Sequence, residues 1–250
     1  MLIGVRDDRF EEWEELARRE PYFALLSDEG TADVAGNAEA TEAFFETGEE
    51  DVAALLLAID AVLGRSAVLT RTLDFGCGAG RLTLPLARQA EHVVACDIAP
   101  TILGHARQNA EHAGLHNVTF IGRDELDRLP FGTFDFICSL LVFEHMSGGG
   151  YEVVRKLTML LAPGGVAALH IPMRRPSDTL RRLVRLRSLP ENRTRGVIRR
   201  VLRRVPEARE RSEYEERSVL RCVELSGARV AARLPIHRGQ TGSVMIIEKA

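Results

Sequence analysis

The chain has 250 residues, 45% of them hydrophobic and 28% charged, with a formal net charge of −3. This is ordinary globular composition, enough for one α/β domain with a core of its own. It excludes a membrane-spanning helix, because no apolar run is long enough, and the opening "MLIGVRDDRFEEWEELARRE" has no apolar stretch of signal-peptide length.

Four cysteines, Cys77, Cys96, Cys138 and Cys222, lie far apart without CxxC spacing. They read as neither a zinc site nor a disulfide framework, so no metal is expected. Reduced, buried thiols in a soluble cytoplasmic protein are expected instead. The charge is polarised along the chain. Residues 1–50 carry four Arg against fifteen Asp or Glu, a net of −11. Residues 174–211 carry fourteen Arg against four acids, a net of +10. Such asymmetry marks either a partner surface or two segments that neutralise each other in the fold.

Along the first 66 residues, Phe10, Trp13 and Leu16 share one face of a short helix. Tyr22, Phe23, Leu25 and Leu26 follow. "ATEAFFETGEEDVAALLLAIDAVL" reads as a helix broken at Gly48. These residues, 1–66, form an N-terminal helical segment that either covers a site or packs as core.

From residue 67 the pattern alternates. Strands are expected at "VLTRTLDFG", "HVVACD", "VTFIG", "FDFICSLL" and "VAALHIP". Helices are expected at "RLTLPLARQA", "PTILGHARQNAEHAG" and "GGYEVVRKLTMLLA", the last stopped by Pro163-Gly164-Gly165 just before a strand. Regular β-α alternation predicts a parallel sheet with helices on both faces and right-handed crossovers. At the end, "EYEERSVLRCVELSGA" reads as a helix closed by Gly227. "RVAARLPIH", a turn at Arg238-Gly239-Gln240 and "GSVMIIEK" read as a hairpin, which sets the last strand antiparallel.

The stretch "TLDFGCGAGRL" carries the chemistry. A strand ends in Asp74 and Phe75, then glycines stand at 76, 78 and 80. Glycine permits a sharp turn and close approach of a ligand to the backbone. A phosphate-binding P-loop needs Gly-Lys-Ser/Thr, and the chain has Gly80-Arg81-Leu82. A dinucleotide loop is spaced GxGxxG, and its third glycine falls on Arg81.

With the spacing GxGxG and Asp74 two residues upstream, "LDFGCGAGRL" resembles the first motif of the class I S-adenosylmethionine-dependent methyltransferases. The resemblance continues in "VVACDIAP", where Asp97 ends the second strand and Ile98 follows. It extends through "IGRDELDRLPFGTFDFICSLLVFEH", "LAPGGVAALHIP" and the terminal hairpin. It covers roughly residues 67–173 and 212–250. The family implies a Rossmann-like α/β fold: a seven-stranded, mostly parallel sheet with an antiparallel C-terminal hairpin and a helical cap. It implies S-adenosyl-L-methionine as cofactor, held by Asp74, Gly76, Gly78, Gly80, Asp97 and Ile98. Asp124 and Glu125 would lie near the adenine. Each residue taken alone has a plainer reading: a turn glycine, a helix cap at Asp97, a turn at Asp124.

Methyl transfer needs no covalent nucleophile, and needs a general base only when the acceptor must lose a proton. His145 and Glu144, after the fourth strand, are placed for catalysis; the alternative is that "FEH" packs against its own loop. His170 lies within the fifth strand and reads as structural. His237, before the hairpin turn, is placed to edge an acceptor pocket.

Residues 174–211 form an Arg-rich insertion within a methyltransferase domain spanning 67–250. "GVIRRVLRRV" sets Val197, Ile198, Val201, Leu202 and Val205 against Arg199, Arg200, Arg203 and Arg204 on a helix. Plain packing, a lid over an anionic acceptor, and peripheral contact with an anionic membrane stay open. Nucleic acid ranks last, since no stacking aromatics interleave the arginines. The expected function is methyl transfer to a small-molecule or lipid-like acceptor at O or N. The alternatives are an NAD(P)-dependent oxidoreductase and a non-catalytic methyltransferase-like domain that binds cofactor or membrane.

Overall fold

A computed structural model describes residues 9–22, 38–146, 149–173, 214–235 and 242–250. The Arg-rich stretch 174–211, His237, the turn at 238–240, Phe23, Leu25 and Leu26 lie outside the described residues.

Seven strands form one sheet: β1 (Arg71–Phe75), β2 (His92–Asp97), β3 (Val118–Gly122), β4 (Phe134–Ser139), β5 (Leu161–Pro172), β6 (Ala228–Pro235) and β7 (Gly242–Lys249). Their order is β3-β2-β1-β4-β5-β7-β6. Strands β1 to β5 pair in parallel, and β7 runs antiparallel to both β5 and β6. The parallel strands read as nearly continuous apolar runs because both their faces are covered. The order reverses between β1 and β4, so the carboxyl ends of β1, β2 and β4 open on a crevice.

The helices are α1 (Phe10–Arg19), α2 (Ala38–Leu63), α3 (Thr83–Ala87), α4 (Pro100–His112), α5 (Arg123–Leu126), α6 (Gly150–Leu160) and α7 (Glu216–Leu225). One core layer joins Leu73, Ile137, Leu169 and Met245 of the sheet to Val154 and Leu157 of α6 and to Val219 and Val223 of α7. A second joins Phe136, Ala168 and Ile246 to Val52, Leu55 and Ile59 of α2. Among the described residues, no helix is long and apolar enough to cross a membrane.

Two expectations are corrected. Helix α2 runs unbroken through Gly48 for 26 residues. Gly48 serves close approach rather than termination: a Cβ there would lie 2.0 Å from the Arg81 carbonyl oxygen. The cost of a mid-helix glycine, about 1 kcal/mol, is offset by that packing. Pro163-Gly164-Gly165 likewise does not separate helix from strand. Helix α6 already ends at Leu160, and the three residues lie inside β5 at an irregularity opposite Phe134 and Phe136. There a Cβ on Gly165 would come within 2.9 Å of the Phe134 carbonyl.

Candidate active site

At the end of β1 the backbone turns through the glycines. Gly76 and Cys77 both donate their N–H groups to the Cys96 carbonyl, at 2.8 and 3.0 Å, which staples the loop to the end of β2. Gly76 has φ +76°, and a Cβ on it would meet Val142 Cγ2 at 2.2 Å, so any side chain there is both strained and blocked. Gly78 has φ +53°, and a Cβ there would point into open space on the pocket wall. A ligand can therefore lie directly on the backbone at Gly78. Gly80 stands behind the pocket, its carbonyl accepting from Leu84 N at 3.0 Å as the turn enters α3.

Asp97 ends β2 facing that loop. Its Oδ2 accepts from Gly78 N at 2.9 Å and its Oδ1 from Ala99 N at 3.2 Å. Burial pushes its pKa above the ordinary carboxylate range, against the pull of those backbone donors. The two bonds fix the carboxylate and leave acceptor capacity for hydroxyl groups. Ile98 lies beside it on the pocket wall.

Asp74 is placed differently. It is buried beneath the loop, off the pocket wall, and accepts from Thr83 Oγ1 at 2.6 Å. Burial raises its pKa from an ordinary 3.8 to about 6, with Thr83 and Arg81 pulling the other way. Arg81 is also buried; its guanidinium pairs with Asp51 of α2 and reaches Thr47 Oγ1 at 3.4 Å. Asp74 and Arg81 thus support the loop from below and from the side.

At the end of β3, Asp124 and Glu125 are exposed and do not line the pocket. Glu125 Oε2 accepts from Gly122 N at 2.9 Å. Their neighbour Arg123 does line the pocket, a residue the sequence reading passed over.

The opposite wall follows β4. Leu141 holds φ +64°, unusual for a side chain of its size, and its N–H donates to His170 Nδ1 at 3.3 Å. His170 is buried in β5 and braces this exit loop. Phe143–His145 form a 3-10 turn. His145 lines the pocket, while Glu144 is buried behind it with Oε1 3.4 Å from His145 Nε2. Of the expected site residues, the pocket wall brings together Gly76, Gly78, Asp97, Ile98 and His145.

Helix α1 closes the top. Trp13, Leu16, Ala17 and Glu20 line the pocket, and the edge of Trp13 meets the His145 ring at 5.1 Å between centroids. Glu14 bonds Thr101 through both the backbone N–H and the hydroxyl, pinning α1 to the start of α4. Tyr22 reaches Asn109, whose amide donates to the Ala79 carbonyl at 2.9 Å. Phe44 and Phe45 pack edge-on with Tyr22 and stay off the pocket wall. Among the described N-terminal aromatics, only Trp13 faces the pocket. The enclosed space is about 1090 Å³, the solvent at its mouth included, and mostly apolar in its lining.

The pocket fits a nucleoside with an apolar neighbour better than a phosphate. Gly78 offers a cradle a Cβ would fill, and the anchored group at the strand end is an acid. Comparisons with known proteins agree. Residues 72–165 match the family model of a methyltransferase domain. The 23S rRNA (uracil(1939)-C(5))-methyltransferase of Pseudomonas fluorescens is 37% identical over 91 residues, 36% of this chain and 20% of its own length. The ubiquinone biosynthesis O-methyltransferase of Methylocella silvestris is 39% identical over 97 residues, 38% of this chain and 37% of its own. The chain therefore matches only a minor part of either relative. Among solved structures, magnesium protoporphyrin IX methyltransferase from Synechocystis PCC 6803, with bound SAH, superposes with a TM-score of 0.60 at 18% identity over 98% of both chains. The [4+2]-cyclase SpnF superposes at 0.56 with 16% identity over 80% of both, a likeness of fold. Residues 72–165 therefore carry a methyltransferase domain, and the seven-stranded sheet that holds it has the fold of an S-adenosylmethionine-dependent methyltransferase.

Proposed function

We propose that the protein methylates a small-molecule or lipid-like acceptor at O or N, with S-adenosylmethionine as donor and His145 as the base. The observation that supports this most is the placement of His145, backed by buried Glu144, across one pocket from Gly76, Gly78 and Asp97.

When bound, S-adenosylmethionine supplies a methyl group already activated on a sulfonium sulfur. The protein's part is then orientation and exclusion of water. Asp97, held in place by the Gly78 and Ala99 N–H groups, would accept from the sugar hydroxyls. Gly76 and Gly78 give the ligand backbone contact. Trp13 and Leu16 keep water from the pocket from above. His145 accepts the proton that an acceptor hydroxyl or amine gives up, and Glu144 stabilises the imidazolium that results. Asp74 and Gly80 act from below the pocket, by shaping the loop. Asp124 and Glu125 face solvent, and we assign them no contact with the donor in this arrangement.

For the acceptor, the lining favours an apolar body: Leu16, Ile102, Val142, Met146 and Val153 surround the free volume. An anionic acceptor or membrane contact through 174–211 stays a proposal based on composition. It gains support from where that segment departs and returns. Met173 and Tyr214 bridge each other, and Tyr214 OH donates to the Phe143 carbonyl at 3.1 Å, next to Glu144. The residues that flank the insertion, Met173 and Tyr214, thus stand beside the loop that carries His145. The rRNA relative matches over a fifth of its length, so RNA is not taken as the acceptor.

The test is release of S-adenosylhomocysteine from methyl-labelled donor in fractionated metabolite and lipid extracts. His145→Gln is expected to lower turnover about 100-fold while donor affinity holds. Unchanged turnover would remove His145 as the base. No release from any fraction would favour the non-catalytic binding domain.

A further inference from the structure

The pocket wall beside Asp97 carries one arginine. Asp97 stands in register with Gly122 of β3, so the residue after Gly122 is its neighbour along the carboxyl edge of the sheet. That residue is Arg123. Its guanidinium carbon lies 5.7 Å from the centre of the Phe75 ring, and both side chains line the pocket. Asp127 Oδ1, 3.4 Å from Arg123 Nη1, steadies it from behind.

Other polar side chains on this wall lie elsewhere. His145 follows β4, on the far side of β1 from Asp97. Glu20 comes from α1, whose Ala17 packs with Ala79 of the glycine loop. A nucleoside anchored at Asp97 by its sugar has base and sulfur on opposite sides of that sugar. With His145 as the base, the sulfur would face His145 and the purine would turn toward β3 and Arg123.

We propose that Arg123 reads the purine of the donor, and that the site does not select for the exocyclic amine. This rests on the pocket being the donor site. A guanidinium has five N–H donors and no acceptor, and it stacks well on flat rings. It can donate to purine ring nitrogens or lie on the ring face. It cannot accept from an amine at C6, whereas a 6-oxo purine exchanges the N1 acceptor for a carbonyl oxygen beside N7, a pair of acceptors that a guanidinium can meet. Of the nearby acids that could accept, Asp124, Glu125 and Asp127 are exposed and off the wall, and Asp97 is taken up by the sugar in this reading.

The experiment is calorimetric titration of the full chain with S-adenosyl-L-homocysteine and with S-inosyl-L-homocysteine, its 6-oxo analogue. Wild type is expected to bind the two within about threefold of each other, and Arg123→Ala to lose about tenfold for both. Arg123→Asp supplies an acceptor and is expected to favour the adenosyl compound by about tenfold, an inversion that a merely structural arginine would not produce. Wild type discriminating against the inosyl compound by about tenfold or more would overturn the proposal. So would an unchanged preference in a folded Arg123→Asp. The wild-type ratio needs no variant, so it decides even if Arg123→Asp misfolds. Absence of S-adenosylhomocysteine binding to wild type would instead remove the donor reading itself, and this inference with it.

Discussion

The floor of the pocket and its cover are held by different forces. The floor is covalently short and densely bonded: β1, the glycine loop and the end of β2 are joined by backbone hydrogen bonds to Cys96 and by the Asp97 carboxylate. Below it sit a buried carboxyl, Asp74, and a buried ion pair, Arg81–Asp51. The cover, α1, buries only Ala17 among its ten residues and leaves Phe10 exposed. It is attached through a few side chains, notably Glu14 to Thr101 and Trp13 to His145. Helices with so little buried surface open at low free-energy cost, while core strands open only with global unfolding. In the function proposed above, a rigid donor seat under a loosely held cover would keep cofactor geometry fixed while acceptors enter.

Changes in the floor should therefore act on stability, and changes in the cover on acceptor handling. Asp51→Ala has the largest expected effect. It leaves Arg81 buried without its carboxylate, a loss of about 3–5 kcal/mol, readable by denaturant unfolding. A loss within about 0.5 kcal/mol would show that α2 does not brace the glycine loop through this pair.

Asp74→Asn comes next, through pH. Asp74 titrates near 6 in the fold against 3.8 ordinarily, so its protonated form is favoured in the native state. Its stabilising contribution is complete below about pH 4 and is lost as pH rises through 6, about 3 kcal/mol in all. Asn retains an acceptor for Thr83 and does not titrate. Unfolding free energies of wild type and Asp74→Asn should diverge between pH 4 and 6 and run parallel above that. Parallel curves across the whole range would mean that Asp74 is not held in a proton-retaining site.

Trp13→Ala has the smallest expected effect on stability, about 1 kcal/mol, with acceptor KM raised and donor affinity nearly unchanged. Donor affinity falling as far as acceptor KM rises would erase the distinction between floor and cover.

The same division governs what the sequence reveals. The parallel strands, the antiparallel β7 and the glycine loop rest on local patterns: β-α alternation, turn glycines, an acid at a strand end. Such patterns survive in one dimension because neighbouring residues impose them. Gly48 is different. In sequence it looks like a helix break, and only the Arg81 carbonyl lying against it explains its presence. Arg123 and Trp13 likewise become pocket residues through neighbours distant in the chain: Asp97 and Phe75 for one, His145 for the other. Asp124 carries the family-like acid, yet the turn after β3 points its neighbour inward. The positive φ of Leu141 has no sequence signal, since leucine there takes a conformation it seldom adopts.

Side-by-side calorimetric titration with S-adenosylhomocysteine and NADH bears most directly on the donor seat. Saturable binding of S-adenosylhomocysteine alone is expected, weakened at least about tenfold in Asp97→Ala by the loss of charge-assisted hydrogen bonds. Binding of NADH in its place, or an affinity for S-adenosylhomocysteine that Asp97→Ala leaves untouched, would contradict it.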